Sequence, residues 1–299
     1  MRYSWTKAAS AAPDQTILWQ VRTRNLELGN HGHIMAIVNV TPDSFSDGGR
    51  FVDSAQAVDF ALSCVKKGAS ILDIGGESTR PGADEVSAAQ EQDRVLPVIE
   101  RLSRETEALI SIDTYRAETA RLAVAAGAHI INDVHGLQRE PEIAQVAAES
   151  GAGLCIMHTG RGRDGRRNAD LIADQLEFFG QSLAIARDAG VGRDSLVLDP
   201  GFGFAKNAED NLELMARFEE LHVLGLPWLV GTSRKRFLGS VTGHDVAADR
   251  DIATAATTAM LRLAGASIFR VHDVAASRDA LAMADAVIAA ASRNGGNAT

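Results

Sequence analysis

Three polar residues with complementary hydrogen-bonding sense, Asp113, Asn132 and Asp199, each end a short apolar run: Ile110-Ser-Ile-Asp113, Ile130-Ile-Asn132 and Leu196-Val-Leu-Asp199. Two carboxylates and an amide that converge can accept and donate in one plane, which suits the amino-pyrimidine edge of a pterin or purine. Each residue taken alone serves equally as a cap for a following helix. Basic groups stand elsewhere, in Gly231-Thr-Ser-Arg-Lys-Arg236 and in Arg270-Val-His272. There Lys235 and Arg270 could hold an anion with help from helix N-terminal amides.

Two loops add chemistry. Asn39-Val-Thr-Pro-Asp-Ser-Phe-Ser-Asp-Gly-Gly49 reads either as a Pro-Asp turn or as a mobile lid. In the second reading Phe45 covers an aromatic substrate, and Asn39 holds magnesium together with phosphate oxygens. Asp73-Ile-Gly-Gly-Glu-Ser-Thr-Arg-Pro-Gly82 offers Arg80 to a carboxylate or phosphate, or to Glu77 or Glu85 as an ion pair. The dense basic run Arg161, Arg163, Arg166 and Arg167 reads as a solvated loop. The histidines lack the spacing of a metal site.

Something must bring these residues together. Apolar runs end at Asn39, Asp73, Asp113, Asn132, His158, Asp199, Ser233 and Arg270 with His272, and they are too short and too β-branched for helices. Helix-like segments alternate with them at 52–67, 87–104, 116–126, 140–150, 169–189, 208–222, 248–264 and 275–292. The expected fold is α/β, a single (β/α)8 TIM barrel whose polar strand ends share one rim. Gly68, Gly127, Gly151 and Gly265 are expected at helix ends, each just before a strand. Residues 1–33 form an N-terminal extension plugging the bottom of the barrel, 34–293 the barrel, and 294–299 a disordered tail.

Composition sets outer bounds. The 299 residues are 45% hydrophobic with net charge -9, and the pI is near 5.4, which disfavours a nucleic-acid binder. Only Cys64 and Cys155 occur, no leader-like or membrane-length apolar run is present, and a cytoplasmic protein without membrane contact is expected.

The long motifs at 39–49 and 73–82, with Ser111-Ile-Asp-Thr114, Ile131-Asn-Asp133, Asp199-Pro-Gly-x-Gly-Phe204, Ser233-Arg-Lys235 and Arg270-Val-His-Asp273, resemble the dihydropteroate synthase family. They occur in the family's order across residues 35–274. The resemblance implies a pterin-binding barrel that condenses 6-hydroxymethyl-7,8-dihydropterin diphosphate with para-aminobenzoate to 7,8-dihydropteroate and diphosphate in folate biosynthesis, a sulfonamide target. It implies pterin contacts from Asp113, Asn132, Asp199 and Lys235, and diphosphate contacts from Asn39, Arg270 and His272, with Mg2+ at Asn39. Phe45, Thr79, Arg80, Pro81, Phe204 and Ser233 would form the aminobenzoate pocket, and Asp113, Asp199, Lys235 and Arg270 would carry catalysis. A homodimer through outer helices is also implied.

The loop Met157-His-Thr-Gly-Arg-Gly-Arg-Asp-Gly-Arg-Arg-Asn168 departs from the family pattern of His-Met followed by Gly-x-Pro-x-x-Met. That departure admits an alternative, a pterin-binding paralogue without catalysis. A second alternative, a methyltetrahydrofolate-corrinoid methyltransferase, would want a cobalamin motif Asp-x-His-x-x-Gly. Only a near miss exists, Asp133-Val-His135 with Gln138 in the last place.

Overall fold

The computed structural model describes residues 17–41, 49–77, 86–161 and 168–295. Phe45, Thr79, Arg80, Pro81, Arg163, Arg166 and Arg167 lie outside the described residues, as do the first part of the extension and the end of the tail.

The chain opens with an antiparallel hairpin, β1 (Ile17–Val21) and β2 (Arg24–Leu28), and then alternates strand and helix. The units are β3 (His33–Asn39) with α1 (Gly49–Lys67), β4 (Ile71–Gly75) with α2 (Ala88–Glu105), and β5 (Leu109–Asp113) with α3 (Ala117–Ala126). β6 (Ile130–Asp133) follows with α4 (Glu142–Ser150), β7 (Gly153–Met157) with α5 (Leu171–Asp188), and β8 (Leu196–Asp199) with α6 (Ala208–Ala216). The last are β9 (Leu229–Val230) with α7 (Arg236–Thr242) and α8 (Asp251–Leu263), then β10 (Ile268–Val271) with α9 (Val274–Gly295). The strands pair in parallel in the order β8-β7-β6-β5-β4-β3-β10-β9. A bridge between Leu198 and Trp228, with the Leu198 amide donating to Pro227 O at 3.0 Å, brings the outer strands together as a (β/α)8 TIM barrel.

The strands are buried on both faces, which is why they read as unbroken apolar runs. Outward residues such as Ile34, Ala36, Val38, Leu72 and Ile74 join the helices in one core. Inward residues sort by height. At the N-terminal end Met35, Ile71, Leu109, Ile130, Val197, Leu229 and Ile268 pack with Trp19, Val21 and Leu28 of the hairpin. Trp19 Nε1 donates to Ser195 O at 2.9 Å, and Arg22 reaches the carbonyls of Val124 and Ala128. The hairpin therefore plugs the bottom. Above this layer the interior turns polar.

Gly68, Gly127, Gly151 and Gly265 all have positive φ at or beside helix ends, as expected. Two segments differ from expectation. The 208–222 segment stops as α-helix at Ala216 and continues as a 3-10 turn over Phe218–Leu224. Its buried Phe218 and Leu221 sit three residues apart, a spacing that a 3-10 turn aligns on one side. The short α7 was not anticipated. Seven residues with buried Phe237 and Leu238 carry too little periodic signal to be read before the fold is known.

Candidate active site at the C-terminal mouth of the barrel

Strand alternation places Asn39, Asp73, Asp113, Asn132, Asp199 and Arg270 on inward positions, Asp113 level with Asn132 and Ile37 level with Asp73. Most of them line one cavity of about 760 Å3 at the strand C-termini, together with Met157, Phe204, Ser233, Lys235 and His272. All the described residues expected at the site are thus brought together.

Arg270 is the hub. Its Nε donates to Asp73 Oδ2 and its Nη2 to Asp113 Oδ2, both at 2.6 Å. Asp73 Oδ2 also accepts Asn132 Nδ2 at 3.1 Å. Burial pushes the Asp113 carboxyl up, opposed by Arg270 and reinforced by Asp73. Burial likewise raises Asp199 to about 6, although Asp199 Oδ1 accepts the Gly201 amide at 2.8 Å. Lys235 is lowered to about 8 by desolvation and by Arg270, and its Nζ lies 4.1 Å over the Phe204 ring. At neutral pH these groups sit near their titration points, as catalytic groups commonly do.

The loop after β8 shapes the wall. Gly201 has φ +68, and a Cβ there would lie 1.9 Å from His158 O; a Cβ on Gly203 would meet the Lys235 side chain at 2.9 Å. Only glycine permits both approaches. Ser233 Oγ accepts the His272 amide at 3.1 Å and meets His272 Nδ1 at 2.9 Å. Arg234 adopts φ 57, a left-handed conformation held by its neighbours. Its amide donates to Thr254 Oγ1, its carbonyl accepts Arg250 Nη1, and its guanidinium makes two 2.8 Å bonds to Asp251. Within the basic run, Arg234 is therefore committed to Asp251 and aims its neighbours Ser233 and Lys235.

Several contributors were not assigned from sequence. Asp73 was seen as a polar strand ending but given no role. Glu77 accepts Arg116 Nη1 at 2.7 Å and Tyr115 OH at 3.1 Å, while its expected pairing with Arg80 falls outside the described residues. Arg116 also donates to Glu91 Oε2 and to Val86 O, so one guanidinium joins Glu77 to Val86 and α2. His158 is buried, with Nε2 3.0 Å from Asp174 Oδ2 and Nδ1 3.0 Å from Lys206 Nζ. Arg161 is exposed, as expected, and also lies over the Phe204 ring at 5.1 Å.

The sequence profile of pterin binding enzymes matches residues 35–272. The chain is 44% identical to the dihydropteroate synthase of Bacillus subtilis over 275 residues, 92% of this chain and 95% of that one. It is similar to the Xanthomonas albilineans dihydropteroate synthase solved with 4-aminobenzoic acid, at 42% identity and TM-score 0.85, covering 91% of this chain and 99% of that one. The same enzyme in complex with 7,8-dihydropteroate gives 39% identity and TM-score 0.82, covering 90% and 99%.

Proposed function

Since the chain belongs to the dihydropteroate synthase family of pterin-binding enzymes, we propose that the polar ring at its barrel mouth is the active site. The chain condenses 6-hydroxymethyl-7,8-dihydropterin diphosphate with para-aminobenzoate, giving 7,8-dihydropteroate and diphosphate for folate synthesis. One observation supports the site most strongly: Asp113, Asn132, Asp199 and Lys235 line one cavity with Arg270 and His272. The first four are positioned to read the pterin, and Arg270 with His272 to meet the diphosphate. Phe204 and Ser233 line the same cavity on the aminobenzoate side. Phe45, Thr79, Arg80 and Pro81 are assigned there by motif alone.

An aromatic amine is neutral at pH 7, so no strong base is required. The harder step is departure of diphosphate from a CH2 on an electron-rich ring. Asp113 and Asp199 can stabilise positive charge spreading into that ring, while Arg270 and His272 stabilise the leaving anion. These features favour a dissociative substitution, with the amine adding to a cation formed as diphosphate leaves.

Magnesium suits Asn39. Among the described residues no group of three or more His, Cys, Asp or Glu side chains could hold a metal, so an all-protein cage is not on offer. Asn39 Oδ1 and Asp113 Oδ2 both lie beside Gly75, where a Cβ would meet them at 3.6 and 3.7 Å. A neutral oxygen at the mouth fits an ion that takes its other ligands from substrate phosphates and water. When bound, it supplies charge neutralisation to the diphosphate.

A homodimer is supported by apolar side chains left exposed on adjacent outer helices, Ile252 and Met260 on α8 and Met283 and Val287 on α9. Among the described residues no helix is long and apolar enough to cross a membrane. A cytoplasmic location agrees with two buried free cysteines.

The decisive experiment mixes purified protein, both substrates and magnesium and measures diphosphate release. Release that falls on chelation is expected; a folded protein that releases none refutes the assignment of the mouth. Asp113→Asn should damage turnover more than folding.

A further inference from the structure

Asp73 is fully buried in the middle of β4, and none of the roles above uses it. Its Oδ2 accepts both Arg270 Nε and Asn132 Nδ2, so one carboxylate holds a residue proposed for the diphosphate and one proposed for the pterin. A carboxylate only accepts, so Asn132 must turn its NH2 toward Asp73 and its Oδ1 away. That Oδ1 is buried and has no hydrogen-bond partner among the described residues, which leaves an acceptor for ring N–H groups.

Arg270 divides its guanidinium between Asp73, through Nε, and Asp113, through Nη2. A pterin whose N–H groups bond to Asp113 competes with Nη2 for Oδ2. Three carboxylates, Asp73, Asp113 and Asp199, also bear on Arg270, and together they oppose an anion approaching it. Occupation of Asp113 and Asp199 by pterin donors relieves part of that opposition. With Nε still on Asp73, the guanidinium is free to turn Nη2 toward the mouth without losing its anchor.

We propose that Asp73 is a positioning residue on which Arg270 pivots, so that the pterin, in taking Asp113, releases Arg270 to the diphosphate. This rests on the pterin and diphosphate roles proposed above and adds a coupling between them: the two halves of the substrate bind cooperatively.

The test uses the full chain in magnesium buffer. Inorganic diphosphate is titrated calorimetrically, with and without saturating 6-hydroxymethyl-7,8-dihydropterin. In the wild type the pterin should raise diphosphate affinity about tenfold or more, and diphosphate should raise pterin affinity by the same factor. In Asp73→Asn, which keeps the shape and removes the charge, the coupling should fall to about twofold or less. If Asp73→Asn fails to fold, the wild-type measurement decides alone. Equal diphosphate affinity with and without pterin overturns the inference while leaving the active-site reading intact, provided pterin binds and diphosphate is released in turnover. A wild type that binds no pterin overturns both. A purely structural Asp73 would lower both affinities of the variant and leave their coupling unchanged, which also refutes the pivot.

Discussion

Replacing Asp199 with Asn should stabilise the protein while disabling it. Asp199 ends β8 at 4% exposure. Burial is the leading influence on its carboxyl, and it outweighs the Gly201 amide and the Lys235 and Arg270 cations to leave the value near 6 instead of 3.8. At about 1.36 kcal/mol per pH unit, keeping the ionised form inside the fold costs about 3 kcal/mol. The folded value is the higher one, so this cost is absent below about pH 4, grows between pH 4 and 6 and is complete above that range. Asn has no charge to desolvate and keeps an oxygen for the Gly201 amide. The attraction of Lys235 is already counted in the carboxyl's value near 6. The net gain at pH 8 is then about 3 kcal/mol, or about 5 °C in Tm, and about 1 kcal/mol at pH 4.5.

Turnover should move the other way. A hydrogen bond to a charged group contributes about 1.5 to 3 kcal/mol, so kcat/KM should drop about 10- to 200-fold. Thermal melts at both pH values, beside initial rates of diphosphate release, measure the two effects on one sample. A variant that melts below wild type at pH 8, or that gains as much at pH 4.5 as at pH 8, refutes the desolvation argument.

Three further changes probe other parts of the molecule. Wild-type kcat/KM should decline as pH rises past about 8, where Lys235 loses its proton, and Lys235→Met should abolish that alkaline limb while lowering kcat/KM at pH 7 about 10- to 100-fold; the pH–rate profile checks both. Gly201→Ala, forced against His158 O at positive φ, should lower the stability measured by denaturant titration by about 2 to 4 kcal/mol. Trp19→Ala should cost about 3 to 5 kcal/mol by the same titration and leave kcat within about twofold, because the hairpin sits at the opposite end of the barrel from the cavity.

The barrel was legible because parallel strands buried on both faces leave unmistakable apolar runs, and their polar ends could be read directly as a rim. Period-two alternation then settles which ends face inward, and Asp113, Asn132, Asp199 and Arg270 all do. What escaped the sequence depends on distance along the chain. Asp73 acquires its meaning only from Arg270, 197 residues away, and His158 only from Asp174 and Lys206 on two other segments. Glu77 meets Arg116, 39 residues away, only once α3 is in place. The apolar run ending at Ser233 marks β9, although only Leu229 and Val230 pair as strand.

The plug at the base also constrains the order of assembly. β1 and β2 leave the ribosome before any barrel strand, yet their seat is made of residues from all eight of the strands that follow, and Trp19 is tied to Ser195, 176 residues later. Trp19, Val21 and Leu28 must therefore wait, unsatisfied, through most of synthesis, as a long-range contact that forms last. The hairpin, made before the barrel strands, is seated after them. Quenching or protection at Trp19 in refolding would thus report ring closure itself, and the waiting hairpin is the stretch on which a nascent-chain chaperone would act.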